Sequence, residues 1–220
     1  MGDGMISHIN AHGKAMYKQS QEGHKTLLRM RCKDIYASLE ESYIADASAA
    51  IASRLFELPE YAAAQTVFCY MSMPREVQTD AVIDRALRDG KRVCIPLCRG
   101  AGVMEAREYR AGDALSAGPY GIREPLEDAP VVPADEIDFA VIPCVACDRF
   151  CKRLGHGAGY YDRFLAETGF PKVALCFSKL IMTTIPVYKK TDVPMDVVVT
   201  ETVTYFADTD ASKVKHNGAV

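Results

Sequence analysis

The stretch Arg149–Leu165, RFCKRLGHGAGYYDRFL, combines three alternating glycines with cations before them and an acid after them. In chain order these residues are Lys152, Arg153, Gly155, Gly157, Gly159 and Asp162. Alternating glycines let the backbone take positive φ angles and approach a ligand closely, and successive N–H groups can form a nest for an anion. The next segment, YYDRFLAET, predicts a helix that ends before Gly169, so the loop should lie at a helix N-terminus. We interpret the loop as a phosphate-chain site; a tight strand-to-helix turn is the alternative.

The segments around this loop alternate between apolar runs and helical patterns. The apolar runs predict buried strands, with a last strand after Asp192 and Asp196; the others are Gln65–Ser72, Arg92–Cys98, Val103–Tyr109, Phe139–Pro143 and Lys172–Phe177. Apolar residues at helical spacing predict helices within residues 24–58, at Thr79–Asp89 and at Tyr160–Thr168. The second helix of the first region should span about Asp46–Leu58 and end at Pro59. Strands and helices that alternate in this way indicate a parallel α/β unit.

Composition limits the class of protein. The chain has 220 residues, 49% of them hydrophobic and 25% charged, which is typical of one or two soluble domains. A net charge of −3 argues against nucleic acid or an acidic membrane as the main partner. No apolar run approaches the roughly 20 residues that span a bilayer. We expect a loose tail at residues 1–23 without a secretory signal, one domain at 24–208, a loose tail at 209–220, and a cytoplasmic location.

Two features outside the glycine loop are candidates for binding. Lys25, Arg29 and Lys33 are spaced four apart and form a basic stripe on the first helix, for which a solvated face is the alternative. Glu76 follows the first predicted strand, and loops after the carboxyl ends of parallel strands carry the sites of open α/β sheets. A surface acid is the alternative there. No Walker A motif occurs, so a bound nucleotide would need the glycine loop and separate cations.

The eight cysteines have no obvious common role. We expect reduced thiols, with Cys69, Cys94 and Cys176 in core strands. Cys144, Cys147 and Cys151, with His156 nearby, have a spacing that could suggest zinc or an iron–sulfur cluster. The spacing lacks a clear second pair of ligands, so we expect these three cysteines not to bind metal.

The stretch RLGHGAGYYDRFL resembles the signature of the 5-formyltetrahydrofolate cyclo-ligase family, also called 5,10-methenyltetrahydrofolate synthetase. Further family motifs follow in the family's order across residues 24–206: KTLLR, YMSMPREVQT, YGIREP and TDVPMDVVVTE. The chain departs from the family pattern at Cys147, where an aromatic is usual, at Cys151, where glycine is usual, and at Ala158. The resemblance implies a three-layer, Rossmann-like fold of the NagB/RpiA/CoA transferase-like type, with an open, mostly parallel sheet and helices on both faces.

The resemblance also implies a reaction. The family uses ATP and Mg²⁺ to cyclise 5-formyltetrahydrofolate to 5,10-methenyltetrahydrofolate, through an N5-iminium phosphate, with release of ADP and phosphate. The substrate supplies its own nucleophile, so we expect no catalytic acid, base or nucleophile from the protein. The expected partners are the folate and ATP, without nucleic acid or membrane, and the chain should be a monomer or a homodimer.

The family's functional residues map onto this sequence one by one. The residues expected to bind ATP are Lys25, Arg29, Arg153, Leu154, Gly155, His156, Gly157, Ala158, Gly159, Tyr160 and Tyr161. The residues expected to contact the folate are Met71, Glu76, His156, Gly157, Ala158, Gly159 and Tyr160. Asp162 and Asp192 are expected to hold Mg²⁺. From sequence alone the two tyrosines are equally consistent with core packing.

Two other classes of function stay open. One is a nucleotide- or RNA-binding module without catalysis on the same fold, because fold and activity can separate. The joint presence of Lys25, Arg29, Glu76, Arg153, Asp162 and Asp192 argues against it. The other is a cysteine–metal protein, which metal analysis would distinguish.

Overall fold

The computed structural model describes residues 11–118, 121–187 and 191–207. The α-helices in these ranges are α1 Ala11–Ser38, α2 Glu41–Phe56, α3 Pro59–Ala63, α4 Asp80–Arg88 and α5 Tyr160–Leu165. The strands are β1 Thr66–Cys69, β2 Arg92–Gly100, β3 Val103–Tyr109, β4 Leu115–Ala117, β5 Arg123–Pro125, β6 Phe139–Ile142, β7 Ala146–Asp148, β8 Arg153–Leu154, β9 Lys172–Leu175, β10 Ile181–Met182, β11 Val197–Val199 and β12 Thr204–Phe206.

A seven-stranded sheet forms the centre, in the order β12-β11-β9-β6-β1-β2-β3. The five inner strands are parallel, and antiparallel β12 and β3 form the two edges. Every residue of β1, β6 and β11 is buried, as their continuous apolar sequences predict for strands covered on both faces. The open, mostly parallel sheet of the sequence prediction is therefore confirmed.

The connections between the inner strands run in opposite directions from the sheet centre. The β1–α4–β2 unit advances to one side, and the chain from β6 through α5 to β9 advances to the other. Because such crossovers are right-handed, α4 and α5 lie on opposite faces of the sheet. The reversal falls between β1 and β6, and the crevice beyond the carboxyl ends of strands at such a point is where open α/β sheets bind ligands.

The N-terminal helix differs from its prediction. Residues 11–23, expected within a loose tail, belong to α1, which begins at Ala11. No proline interrupts Ala11–Ser38, and its alanines, lysines and glutamines favour a helix. Residues 1–10 and 208–220, which include the rest of the expected tails, lie outside the described residues. The extent of the domain, 24–208, stays a prediction.

Other differences concern short elements. Pro59 does not end the second helix, which already ends at Phe56; it begins α3, because proline fits the first position of a helix. The sequence analysis missed the hairpin of β4 and β5 and the small sheet β10-β7-β8. Strands of two or three residues are too short to leave a period in the sequence. No helix in the part of the chain described here is long and apolar enough to cross a bilayer.

Candidate functional site

The glycine loop links β8 to α5 and takes the backbone conformation that its glycines allow. Gly157 has φ 107° and Gly159 has φ 72°, in the region that favours glycine, whereas Gly155 has no positive φ. A Cβ on Gly157 would lie 3.3 Å from the Arg29 guanidinium carbon, so a side chain there would also press on α1. Gly159 precedes the first residue of α5, as predicted. Because this helix has only six residues, anion binding at the loop must depend largely on nearby cations.

Arg153 is the buried cation of the site. It lies in β8 and is 7% exposed. Its Nη1 donates to the Pro143 carbonyl at 3.1 Å, and its Nη2 donates to Asp162 Oδ1 at 2.9 Å. Its guanidinium also lies 5.7 Å from the centre of the Tyr161 ring. The loop after β6, the end of β8 and the first turn of α5 are thus tied together by one side chain.

The two predicted metal ligands come together from distant parts of the chain. Asp162 Oδ1 also accepts a hydrogen bond of 3.2 Å from the backbone N–H of Val193, the residue after Asp192. Asp192 Oδ2 accepts a hydrogen bond of 2.6 Å from Lys25 Nζ. Asp162 thus contacts the backbone of the residue next to Asp192, and each of the two carboxylates is paired with a cation.

Two of the three members of the basic stripe on α1 contact the site, Arg29 at the glycine loop and Lys25 at Asp192. Arg29 Nε donates to the Gly155 carbonyl at 2.9 Å. Lys25 is only 5% exposed, so its side chain is not part of a solvated face. Lys33, by contrast, is exposed. The pairing of Lys25 with Asp192 and of Arg29 with Gly155 joins α1 to the site.

Glu76 contacts the glycine loop from the opposite side. It is 8% exposed, its Oε2 accepts a hydrogen bond of 2.9 Å from Met73 N, and its Oε1 lies 3.0 Å from His156 Nε2. Thr79 and Gln78 brace the same turn, because Thr79 Oγ1 donates to the Tyr70 carbonyl and Gln78 Nε2 to the carbonyls of Met73 and Glu76. The carboxylate is thereby held at the carboxyl end of β1, where its position in the sequence predicts a site.

A cavity of about 400 Å³ opens between these elements. Its predicted members are Met71, Glu76, Arg153, Gly155, His156, Gly157, Ala158, Gly159, Tyr160, Tyr161 and Asp162. Lys25, Arg29, Leu154 and Asp192 do not line it. Leu154 is a core side chain whose carbonyl accepts from Val145 N at 2.7 Å. The glycine loop therefore lines this cavity, whereas Lys25, Arg29 and Asp192 lie outside it.

The cavity wall includes residues that sequence reasoning missed. They come from four regions of the chain and are Tyr70, Met73, Pro96, Cys98, Met104, Ile122, Glu124 and Pro143. Most are apolar, as is usual for a pocket that encloses a planar organic ligand. Sequence position indicates two of them, because Met73 directly follows a predicted strand and Pro143 is the last residue of another. For Met104 and Ile122 no local signal exists, because the pairing of β3 with β2 and the β4–β5 hairpin bring them to the site.

Burial raises the pKa of three groups in the cavity wall. Desolvation raises the pKa of Tyr161 and of Tyr70 well above the usual value for tyrosine. Burial, together with a hydrogen bond to Glu124, raises the pKa of the Cys98 thiol to about 12. These groups act near neutral pH as hydrogen-bonding and packing groups without charge. Charge in the cavity wall comes from the carboxylates and from Arg153.

These features define a class of protein: an α/β protein with a cavity at the switch point of its sheet and a glycine loop flanked by two cation–carboxylate pairs. A sequence profile of the 5-formyltetrahydrofolate cyclo-ligase family matches residues 21–201. The chain belongs to this family. It is an enzyme of folate one-carbon chemistry that closes 5-formyltetrahydrofolate to 5,10-methenyltetrahydrofolate, as the sequence predicts.

Individual relatives agree with this assignment. A Schizosaccharomyces pombe protein named probable 5-formyltetrahydrofolate cyclo-ligase is 32% identical over 187 residues, or 78% of this chain and 89% of the relative. The Saccharomyces cerevisiae 5-formyltetrahydrofolate cyclo-ligase is 31% identical, over 80% of this chain and 94% of the relative. The NMR structure of Aquifex aeolicus 5,10-methenyltetrahydrofolate synthetase has a TM-score of 0.75 and 29% identity, and the match covers 88% of this chain and 97% of that one.

Proposed function

We propose that the chain drives the closure of 5-formyltetrahydrofolate with ATP and Mg²⁺, and that the glycine loop separates the two substrates. The folate ring system occupies the cavity, against Met71 and Glu76. The ATP phosphates lie on the loop, within reach of Arg153, Arg29 and Lys25. The observation that carries this proposal is the pair of ion pairs at one end of the loop, Lys25–Asp192 at 2.6 Å and Arg153–Asp162 at 2.9 Å.

The ion pairs suit a site that receives Mg²⁺ and a polyphosphate together. Magnesium is commonly bound by one or two carboxylates with phosphate and water completing its shell, and Asp162 and Asp192 provide two neighbouring carboxylates. Asp162 and Asp192 would hold Mg²⁺, which would leave Lys25 and Arg153 to contact the phosphate oxygens. The charge of Mg²⁺ offsets part of the negative charge that the polyphosphate brings, which favours binding of the two together over binding of the polyphosphate alone. Mg²⁺, when bound, neutralises charge on the phosphate oxygens.

The reaction requires positioning and charge neutralisation more than covalent help from the protein. The formyl oxygen of the folate attacks the γ-phosphorus and ADP leaves, which gives the N5-iminium phosphate. N10 then attacks the former formyl carbon and loses its proton. The bond from this carbon to the phosphate oxygen breaks, and phosphate leaves. The role of the chain is to hold the formyl group against the loop and to exclude water from the intermediate. The apolar walls of the cavity and the buried Arg153 support both functions.

The activity is tested directly with the purified full chain. We expect 5-formyltetrahydrofolate and MgATP to give 5,10-methenyltetrahydrofolate, followed by its near-ultraviolet absorbance, with one ADP formed for each product. Omission of Mg²⁺ or of ATP should abolish product formation. Tight ATP binding without turnover would instead favour a nucleotide- or RNA-binding module.

The absence of a nucleic-acid partner and the monomeric or homodimeric state stay predictions. So does the cytoplasmic location, since one relative, from Arabidopsis thaliana, is named mitochondrial.

Arg29→Ala tests the outer side of the loop. The variant should raise KM for ATP roughly tenfold, because a charged hydrogen bond contributes about 1.5–3 kcal/mol. Arg31→Ala is the matched control, since Arg31 is an exposed arginine two residues along the same helix. The KM for 5-formyltetrahydrofolate should change little in either variant. Equal KM values for ATP in Arg29→Ala and Arg31→Ala would return Arg29 to a purely structural role. Lys25 is less suitable for this test, because its buried pair with Asp192 also contributes to folding.

A further inference from the structure

Three buried thiols from separate segments meet beside the site. Cys144 follows β6, Cys147 lies in β7, and Cys176 follows β9. Their Sγ atoms all lie within 4.8 Å of one another. The three residues are 4%, 0% and 2% exposed. Because β6 and β9 are adjacent and parallel, their carboxyl ends bring Cys144 and Cys176 together although the two residues are distant in sequence.

The set is not the one that the sequence spacing suggests. Cys151, the third member of the C-x2-C-x3-C pattern, donates instead to the Tyr205 carbonyl at 3.4 Å. Its φ of 59° lies in the left-handed region, at the position where the family usually has glycine. Cys176, which the sequence analysis assigned only to a core strand, completes the cluster. The expectation that no metal binds concerned Cys144, Cys147 and Cys151. The observed cluster has Cys176 in place of Cys151.

The size of the thiol cluster suits a metal ion. In a tetrahedral site with metal–sulfur bonds of about 2.3 Å, the sulfur atoms lie about 3.8 Å apart. The three Sγ atoms lie within 4.8 Å of one another, so movements of about 1 Å or less would give them the tetrahedral spacing. The Leu175 carbonyl oxygen, which accepts a hydrogen bond of 3.2 Å from Cys144 Sγ, is a candidate for a fourth metal ligand. Ordinary core packing of the three thiols is the alternative.

We propose that Cys144, Cys147 and Cys176 bind one thiophilic d¹⁰ cation of the Zn²⁺ class as thiolates. Each thiol that binds gives up its proton to solvent, so three thiolates and a divalent cation leave a net charge of −1. Arg153, the partner of Cys147 in the β7–β8 ladder, supplies a positive charge close by. Cys144 also directly follows Pro143, whose carbonyl holds Arg153. The ion would thus link the end of β6, β7 and the end of β9 next to Arg153. Binding of this ion is independent of the assigned reaction.

The test uses the full chain, reduced and purified from medium with added Zn²⁺. We expect about one zinc per chain by elemental analysis, in line with a single three-sulfur set. After removal of zinc, titration with Cd²⁺ alone should produce the ultraviolet absorption of cadmium–thiolate bonds and saturate at about one equivalent. Cys176→Ala should weaken Cd²⁺ binding by at least about 100-fold, more than the loss of an outer partner costs. Cys151→Ala is the matched control and should bind Cd²⁺ as the natural chain does.

Circular dichroism of each variant identifies any that fails to fold. ¹¹³Cd NMR of the unaltered chain then provides a measurement that needs no variant, because its chemical shift reports the number of sulfur ligands. A shift typical of three sulfur ligands supports the site. A shift typical of oxygen or nitrogen ligands, substoichiometric metal in both experiments, or an equal loss of Cd²⁺ binding in Cys151→Ala and Cys176→Ala would overturn it.

Discussion

Arg153→Ala is expected to lower kcat/KM by about 100-fold or more, which corresponds to about 2.7 kcal/mol of transition-state stabilisation. The guanidinium is 7% exposed, binds Pro143 and Asp162 at once, and lines the cavity. Its removal would take away a buried positive charge that we place at the phosphates, where electrostatic effects are large. Arg153→Lys should recover only part of the activity, because an ammonium group cannot reproduce a planar fork that binds two partners. Steady-state kinetics with ATP and folate varied separately would measure both effects.

A stability loss is also expected for Arg153→Ala, so a control must separate folding from catalysis. Arg107 is matched to it: it is also 7% exposed, pairs with Glu105 at 2.6 Å and donates to the Ala129 carbonyl, but does not line the cavity. Arg107→Ala should lower the melting temperature with near-normal kcat/KM. Added guanidinium ion should restore part of the activity of Arg153→Ala, because it can enter the space left by the Arg153 side chain. It should not change the activity of Arg107→Ala. Normal kcat/KM in Arg153→Ala, measured well below its melting temperature, would limit Arg153 to a structural role.

The parts of the fold that sequence predicts well are those that single elements determine. The inner strands were recovered because each is a continuous apolar run, and β3 was predicted with its observed bounds, Val103–Tyr109. The glycine loop was recovered because its residues are contiguous. Glu76 was found from its place after a strand, since the carboxyl edge of a parallel sheet follows from topology alone.

The parts that sequence misses depend on contacts between distant elements. Asp162 illustrates this: a salt bridge with Arg163 is the obvious structural alternative from sequence, but consecutive helix residues do not face each other, and the partner is Arg153. Arg163 instead donates to the carbonyls of Gly102 and Ala158. The meeting of Cys176 with Cys144 has the same origin. No local pattern records which side chains two neighbouring strands bring together.

Asp162→Asn is expected to lower kcat by about 100-fold and to raise the Mg²⁺ concentration at half-maximal rate at least tenfold, because it removes one of two carboxylates proposed to hold the ion. The amide keeps an oxygen that can accept from Arg153 and Val193, so the shape of the loop should be conserved. The substitution removes the negative charge that pairs with Arg153, and without ligands it should lower the free energy of unfolding by about 1–2 kcal/mol. Loss of a fully buried pair would cost more, but the Asp162 carboxylate is partly exposed. Turnover as a function of Mg²⁺ and the melting temperature are measured on the same preparation.

Asp80→Asn is the matched control for this variant. Asp80 also lies in the first turn of a helix and pairs with an arginine, Arg123 at 2.7 Å, but this pair is outside the cavity. If Asp162 serves only to stabilise α5 and Arg153, Asp162→Asn should lose stability, Asp80→Asn should lose little because its pair is exposed, and both should keep a normal dependence on Mg²⁺. If Asp162 holds the ion, only Asp162→Asn shifts that dependence, and excess Mg²⁺ restores part of its rate. A bare carboxylate beside bound phosphates would be repulsive, so the second result is the one that the position of Asp162 predicts.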